Sequence, residues 1–252
     1  MGRVVFVGAG PGAADLITRR GADRLGSADI VLYDALSDPA LTALAPRARW
    51  INVGKRGFGH ATGQTAINAL MIRCAGEVDC VVRLKGGDPS VFGRLEEELQ
   101  ALADAGIAFE IVPGVTAALA AAAASARPLT RRGSGRSVTL ATAMTREGQL
   151  LAGRHADTEV FYMAGKQLAA LSRQLVRSGW PAQTPASVVS RAGWPDQLHS
   201  AHTVATLGRA AMLHAGRPTV VTIGAGACPV AATPRGELLR DVLTAATDPT
   251  RA

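Results

Sequence analysis

The chain has 252 residues, 48% of them apolar and 19% charged, which is a globular rather than a disordered composition. Its formal charge of +7 suits nucleic acid, an anionic membrane or a polyanionic small molecule as partner. Aromatic residues make up only 4%, which argues against a base-stacking surface, and no apolar run has the length of a membrane span.

Residues 4–7 predict a first strand, stopped by Gly8-Ala9-Gly10-Pro11-Gly12. No signal peptide is expected ahead of it. Asp15 then opens a helix over 16–25, and residues 30–33 form a second strand ending at Asp34. This order resembles a dinucleotide-binding unit, with Asp34 roughly where the ribose-binding acid would stand. Pro11 removes a backbone N–H that such a loop would use on a pyrophosphate. An NAD-dependent oxidoreductase therefore stays open at this point. A third strand, 50–53, ends in the cationic turn Gly54-Lys55-Arg56-Gly57. Thr62 is placed to cap a helix over 63–75, with Ile67, Leu70 and Met71 as its apolar stripe.

The apolar run 78–82 predicts a fourth strand. After it comes Arg83-Leu84-Lys85-Gly86-Gly87-Asp88-Pro89-Ser90-Val91-Phe92-Gly93-Arg94, and then a helix over 95–105. In open α/β sheets ligands bind where such turns sit, at the carboxyl ends of strands. The plainer reading is a connecting loop in which Asp88 caps the next helix. A fifth strand, 109–112, leads through Pro113-Gly114-Val115-Thr116 into an alanine-rich helix over 117–126. Five strand–helix units predict a helix-covered parallel sheet over residues 1–126.

Residues 127–136 are basic and turn-rich and read as a linker. Residues 137–252 read as a second α/β domain. Its strands are expected at 137–141, 159–163, 186–189, 202–206 and 219–223, with helices over 166–178 and 235–246. The turn Gly193-Trp194-Pro195-Asp196-Gln197 predicts a hairpin and hence a mixed sheet. His199 and His202, three apart on a strand, would face opposite sides, so no metal site is expected. Cys74, Cys80 and Cys228 form no C-x-x-C pair and read as reduced thiols of a cytoplasmic protein.

Six of these blocks fall in the order and spacing of one family. They are Gly8 to Gly12, Tyr33-Asp34, Gly54-Lys55-Arg56, Arg83 to Arg94, Val112 to Ala117, and Pro128-Leu129-Thr130. Together they resemble the tetrapyrrole (precorrin) methylases, and most of all those members that act on uroporphyrinogen III. The resemblance implies two α/β domains with S-adenosyl-L-methionine in the cleft between them, S-adenosyl-L-homocysteine as the product, no metal, and a homodimer. It implies that Pro11, Gly86, Gly87, Asp88, Val91, Thr116, Ala117 and Met163 line the cofactor, with Ala192 and Gly224 closing over the adenosine. Asp34, Lys55, Arg56, Arg94, Glu97 and Arg132 would face the tetrapyrrole. Arg94 and Asp34 are the candidates for catalytic roles.

The implied chemistry suits these residue types. Eight substrate carboxylates call for arginine and lysine, and aligning nucleophile, methyl and leaving sulfur is most of what the protein must supply. The chain departs from the family pattern at Ala13-Ala14, at Thr130-Arg131-Arg132, at Thr142-Ala143-Met144, and at Leu95-Glu96 after Arg94. Residues 14–18 are similar to the methylases of later precorrins, which makes such a precursor the alternative substrate. A basic RNA-binding module is the alternative from a non-enzymatic class, and its binding would depend strongly on salt.

Overall fold

The structure is a computed structural model and describes residues 1–34, 37–54, 63–143 and 152–230. The expected helix over 235–246 and the cap at Thr62 lie outside these residues.

Five strands form the first sheet: β1 (Arg3–Gly8), β2 (Ile30–Tyr33), β3 (Arg49–Asn52), β4 (Cys80–Lys85) and β5 (Phe109–Val112). All neighbours are parallel, in the order β3-β2-β4-β1-β5. Helices α1 (Arg19–Gly26), α2 (Gln64–Glu77) and α3 (Leu95–Asp104) connect them. Alternate residues serve opposite faces, as strand geometry requires. Val4, Phe6, Ile30, Leu32 and Val81 pack with Met71 of α2 and Leu102 of α3. Val5, Val7, Val31, Val82 and Leu84 pack on the other side with Leu25 of α1 and Leu41. Both faces of the central strands β1, β2 and β4 are covered, so those strands are mostly apolar.

The second sheet contains β6 (Val138–Thr142), β7 (Thr158–Tyr162), β8 (Pro185–Ser190), β9 (Leu198–Thr203) and β10 (Thr219–Gly224). Its order is β6-β7-β10-β8-β9. Only the β6–β7 pair is parallel, so this sheet is mixed. Helix α5 (Leu168–Arg177) covers one face through Leu168, Leu171 and Leu175. The other face receives α4 (Ala117–Ala124), whose Ala118, Ala120 and Ala121 meet Val160, Val189 and Val220. A helix that follows the first sheet in the chain therefore packs on the second. Alanine lets its backbone come close.

Several elements differ from expectation for identifiable reasons. Helix α1 begins at Arg19, and Thr18 caps it by accepting from Gly21 N–H at 3.0 Å; Asp15 sits instead in a short 3-10 turn. Strand β4 runs on through Arg83, Leu84 and Lys85, all buried. Charged residues are tolerated there because Glu98 pairs with both cations. Asp88 does not cap α3; that position belongs to Arg94, in the left-handed region at φ 53°. Strand β9 starts four residues earlier than expected, because the hairpin register sets Leu198 opposite Ser190. Thr203 N–H then donates to Thr206 Oγ1 at 3.0 Å and turns the chain away. Cys74, Cys80 and Cys228 are free thiols.

Candidate functional site

The carboxyl ends of β1, β4 and β5 lie side by side and their turns pack backbone on backbone. Ala9 N–H donates to the Lys85 carbonyl at 2.8 Å, and Gly10 and Gly87 form an antiparallel bridge. Both of those glycines are in the left-handed region, at φ 79° and 71°, where a side chain would be strained. A Cβ on Gly8 would stand 2.5 Å from Gly114 Cα, and one on Gly114 would stand 2.2 Å from the Gly87 carbonyl oxygen. Asp88 ties the third turn to the second. Its Oδ1 accepts from Ser90 N–H at 2.8 Å and its Oδ2 from Gly114 N–H at 2.9 Å.

This glycine layer is the floor of a cavity of about 310 Å³, of the size that takes a small organic ligand. Pro11, Gly86, Gly87, Asp88, Val91, Thr116 and Ala117 line it from the first sheet, and Met163 and Ala192 from the second. Met163 is half exposed and in the left-handed region at φ 57°, which holds it out from the end of β7. The two halves are joined around the cavity. The Thr116 and Tyr162 hydroxyls share a hydrogen bond of 2.6 Å, and the Phe92 and Tyr162 rings stand 5.0 Å apart. Ala13 N–H donates to the Gly193 carbonyl at 3.1 Å.

Gly224 is not in this cavity. Strand β10 runs antiparallel to β7, so its beginning, Thr219 and Val220, lines the cavity beside Met163. Gly224 is at the far end, where a Cβ would meet the Asp157 carbonyl oxygen at 2.2 Å.

Sequence reasoning also passed over Phe92, Tyr162, Arg191 and Trp194, which line the cavity. Trp194, partly exposed, packs where a Cβ on Gly12 would come within 2.4 Å of its ring. Arg191 lies over that ring at 4.3 Å and pairs with Asp196 at 2.7 Å. The hydrogen bond from Arg191 holds the Asp196 carboxyl below its ordinary range. The signal for Trp194 was present: the same rule that placed ligands at turns of the first sheet applied to the hairpin turn of the second.

The residues expected to face the substrate are spread over three places. Arg94 and Glu97 form a two-bond ion pair, 2.8 and 2.7 Å, on α3. The bond to Glu97 raises the Arg94 pKa. They line a groove beyond Phe92, on the outer side of the cavity wall. Arg132 is exposed on a turn closed by the Arg131–Gly135 bridge and does not line the cavity. Asp34 stands at the end of β2, bonded to Arg83 Nη2 at 2.8 Å; no hydrogen bond or ion pair joins it to Arg94. Lys55, Arg56 and Met144 lie outside the described residues.

Among the described residues no three His, Cys, Asp or Glu side chains are grouped to hold a metal, and no helix is long and apolar enough to cross a membrane. The dinucleotide reading meets a geometric obstacle. Helix α1 starts nine residues beyond Gly10, so its N-terminal N–H groups are not at the glycine turn where a pyrophosphate would need them.

The site can be set beside known proteins. The sequence model of the family described as Tetrapyrrole (Corrin/Porphyrin) Methylases matches residues 3–208. A siroheme synthase of Sodalis glossinidius is 44% identical over 230 residues, which cover 88% of this chain and 48% of that protein. One from Neisseria meningitidis is 44% identical over 230 residues, 88% of this chain and 47% of the relative. The chain thus spans about half the length of the curated relatives it matches. Among solved structures, uroporphyrin-III C-methyl transferase from Thermus thermophilus, complexed with S-adenyl homocysteine, is 34% identical with a TM-score of 0.78. The match covers 89% of this chain and 98% of that one. A cobalt precorrin-4 methyltransferase is 29% identical, also with a TM-score of 0.78, over 90% of this chain and 96% of that one.

Proposed function

Because the chain belongs to the tetrapyrrole (corrin/porphyrin) methylase family, we propose that it is a C-methyltransferase converting uroporphyrinogen III to precorrin-2, by methylation at C-2 and C-7. The observation that carries this reading is the cavity itself: a floor of three interlocked glycine turns facing a wall from the second sheet. S-Adenosyl-L-methionine, when bound, supplies the methyl group, its carbon–sulfur bond breaking as the new carbon–carbon bond forms and sulfur keeps the electron pair.

The residues fit that group. Side chains at Gly8 or Gly114 would force the turns apart, so glycine there lets them pack into one continuous floor, on which Gly86 and Gly87 bring backbone within contact of a ligand. Gly86, Gly87, Asp88, Val91, Thr116 and Ala117 would hold it from below, and Met163 and Ala192 from above. Trp194 adds an apolar wall. Holding methyl, sulfur and ring carbon in line is the main contribution such a site can make.

Methylation leaves the ring with one proton to shed. Asp34 is the better placed acceptor of the two catalytic candidates. Tyr33 pairs with Leu84, so Asp34 is level with Lys85, one strand from the cavity floor. Arg94, on the outer groove and paired to Glu97, suits a peripheral carboxylate of the substrate; Lys55, Arg56 and Arg132 would serve others. The same reading makes 1–126 and 137–252 the two domains and 127–136 their linker. It includes a homodimer in the cytoplasm, with neither nucleic acid nor membrane as partner. Exposed Phe109 and Ile111 on the edge strand β5 support a contact between copies.

A later precorrin is the second substrate reading, favoured by residues 14–18 and by the likeness to the cobalt precorrin-4 enzyme. The experiment is incubation with methyl-labelled cofactor and intact uroporphyrinogen III, followed by mass analysis. Two methyl groups per ring are expected. No transfer to verified uroporphyrinogen III, with transfer to a later precorrin, overturns the assignment in favour of the second reading.

A further inference from the structure

Strand β4 carries two cations on one face, Arg83 and Lys85, two residues apart. Both reach down to Glu98 on α3. Arg83 Nε bonds Glu98 Oε1 at 2.9 Å, and Lys85 Nζ bonds Oε2 at 2.5 Å. Glu98 is fully buried and the Arg83 side chain is 3% exposed. Burying charges is costly even when they are paired, and an apolar set of the same volume often does as well for stability. The network therefore invites a second explanation.

That explanation lies at its open end. Arg83 Nη2 donates to Asp34 Oδ1 at 2.8 Å, while Nη1 donates to the Leu84 carbonyl at 3.2 Å and the Leu32 carbonyl at 3.4 Å. The guanidinium is thus fixed by three groups of the protein interior, the Glu98 carboxylate and the Leu84 and Leu32 carbonyls, and presents one N–H to Asp34. Asp34 is the only member near solvent, with its side chain 31% exposed. Its Oδ2 carries no bond among those of the described residues. The chain of charges alternates, Asp34, Arg83, Glu98, Lys85, so two acids and two bases cancel. Each link leaves the next little freedom to rotate.

We propose that Arg83 is a positioning residue: it holds the Asp34 carboxylate by Oδ1 at the carboxyl end of β2, one strand from the cavity floor, so that Oδ2 is turned to the reacting tetrapyrrole, and Glu98 with Lys85 holds Arg83. This rests on the methyl-transfer reading above. A carboxylate at the end of a strand, followed by a loop, would otherwise sample several rotamers. A fork of donors anchored in the interior selects one.

The test is a double-mutant cycle on methyl transfer, with R83K, D34N and R83K/D34N. Lysine keeps the charge but cannot reach Asp34, Glu98 and two carbonyls together. R83K is expected to lower kcat about a hundredfold, the scale of a misplaced reacting group, with the Kd for S-adenosylhomocysteine unchanged. On the D34N background R83K should add nothing. If R83K does not fold, the isosteric E98Q, which loosens Arg83, goes through the same cycle with the same pattern expected at smaller size. Losses that multiply with D34N, or a matching loss of S-adenosylhomocysteine affinity, overturn the assignment. An inactive unmodified chain overturns the methyl-transfer reading and this inference with it; an active one with multiplying losses overturns only this inference.

Discussion

Gly10 and Gly87 exchange two backbone hydrogen bonds, Gly10 N–H to the Gly87 carbonyl at 3.2 Å and Gly87 N–H to the Gly10 carbonyl at 2.7 Å. Turns that lie 77 residues apart in the chain thereby become one surface. The cavity floor is a property of that pairing rather than of either loop.

Gly114 is where this surface is least forgiving. Its added Cβ would stand 2.2 Å from the Gly87 carbonyl oxygen, with no flexible side chain to give way. Gly114→Ala is expected to cost about 1–3 kcal/mol, the range for overpacking, and to abolish measurable S-adenosylhomocysteine binding. Urea unfolding and calorimetry report the two effects separately.

Asp88→Ala leaves the N–H groups of Ser90 and Gly114 without their acceptor. The expected loss of stability is about 1–3 kcal/mol. Affinity for S-adenosylhomocysteine should fall at least about tenfold, because about 1.4 kcal/mol of distortion at the floor already corresponds to that factor. Calorimetry on the variant gives the answer directly.

Arg94→Ala should behave in the opposite way. The Arg94–Glu97 pair is half exposed, and such pairs contribute less than about 1 kcal/mol. Turnover of uroporphyrinogen III is expected to drop while S-adenosylhomocysteine affinity and melting temperature stay near those of the unmodified chain. Arg94→Gly should melt slightly higher, since glycine accepts the φ of 53° without strain. Comparing the two variants in a melting assay separates backbone strain from side-chain function.

The second sheet holds a histidine–serine chain. Ser190 Oγ meets His214 Nδ1, His214 Nε2 meets Ser200 Oγ, and Ser200 Oγ meets His202 Nε2, each at 2.8 Å. Burial pushes His214 below its ordinary value, with His202, Arg217 and His199 adding to it. Burial also lowers His199, with Arg127 and His202, and lowers His202, with Arg209. The folded state therefore binds fewer protons than the unfolded chain as the pH drops below about 6.5. Stability from these groups is complete above that pH and is lost as the pH falls. The urea midpoint should be lower at pH 5.5 than at pH 7.5, and His214→Asn should flatten the difference.

Much of the first sheet was legible because its strands are short apolar runs cut off by glycine or proline. The strands at Ile30–Tyr33 and Phe109–Val112 fall where hydrophobicity ends. Strand β4 was read short at its carboxyl end because Arg83 and Lys85 are charged, and only tertiary structure supplies the buried Glu98 that neutralises them. The turns that line the cavity were legible for the same reason as the strands: glycines mark places where backbone meets backbone. Gly224 was misplaced because strand direction in a mixed sheet is set by pairing, which local sequence does not carry. Tyr162 went unread because it faces the cavity only once the two sheets are brought together.

Helix α4 carries a consequence of its own. Its alanines lie before residues 127–136 in the chain but fill the second sheet's face, against Val160, Val189 and Val220. A cut within 127–136 would strip that face of its cover and leave the other fragment with a naked alanine stripe. Neither fragment should fold alone, and the intact chain should melt in a single cooperative step.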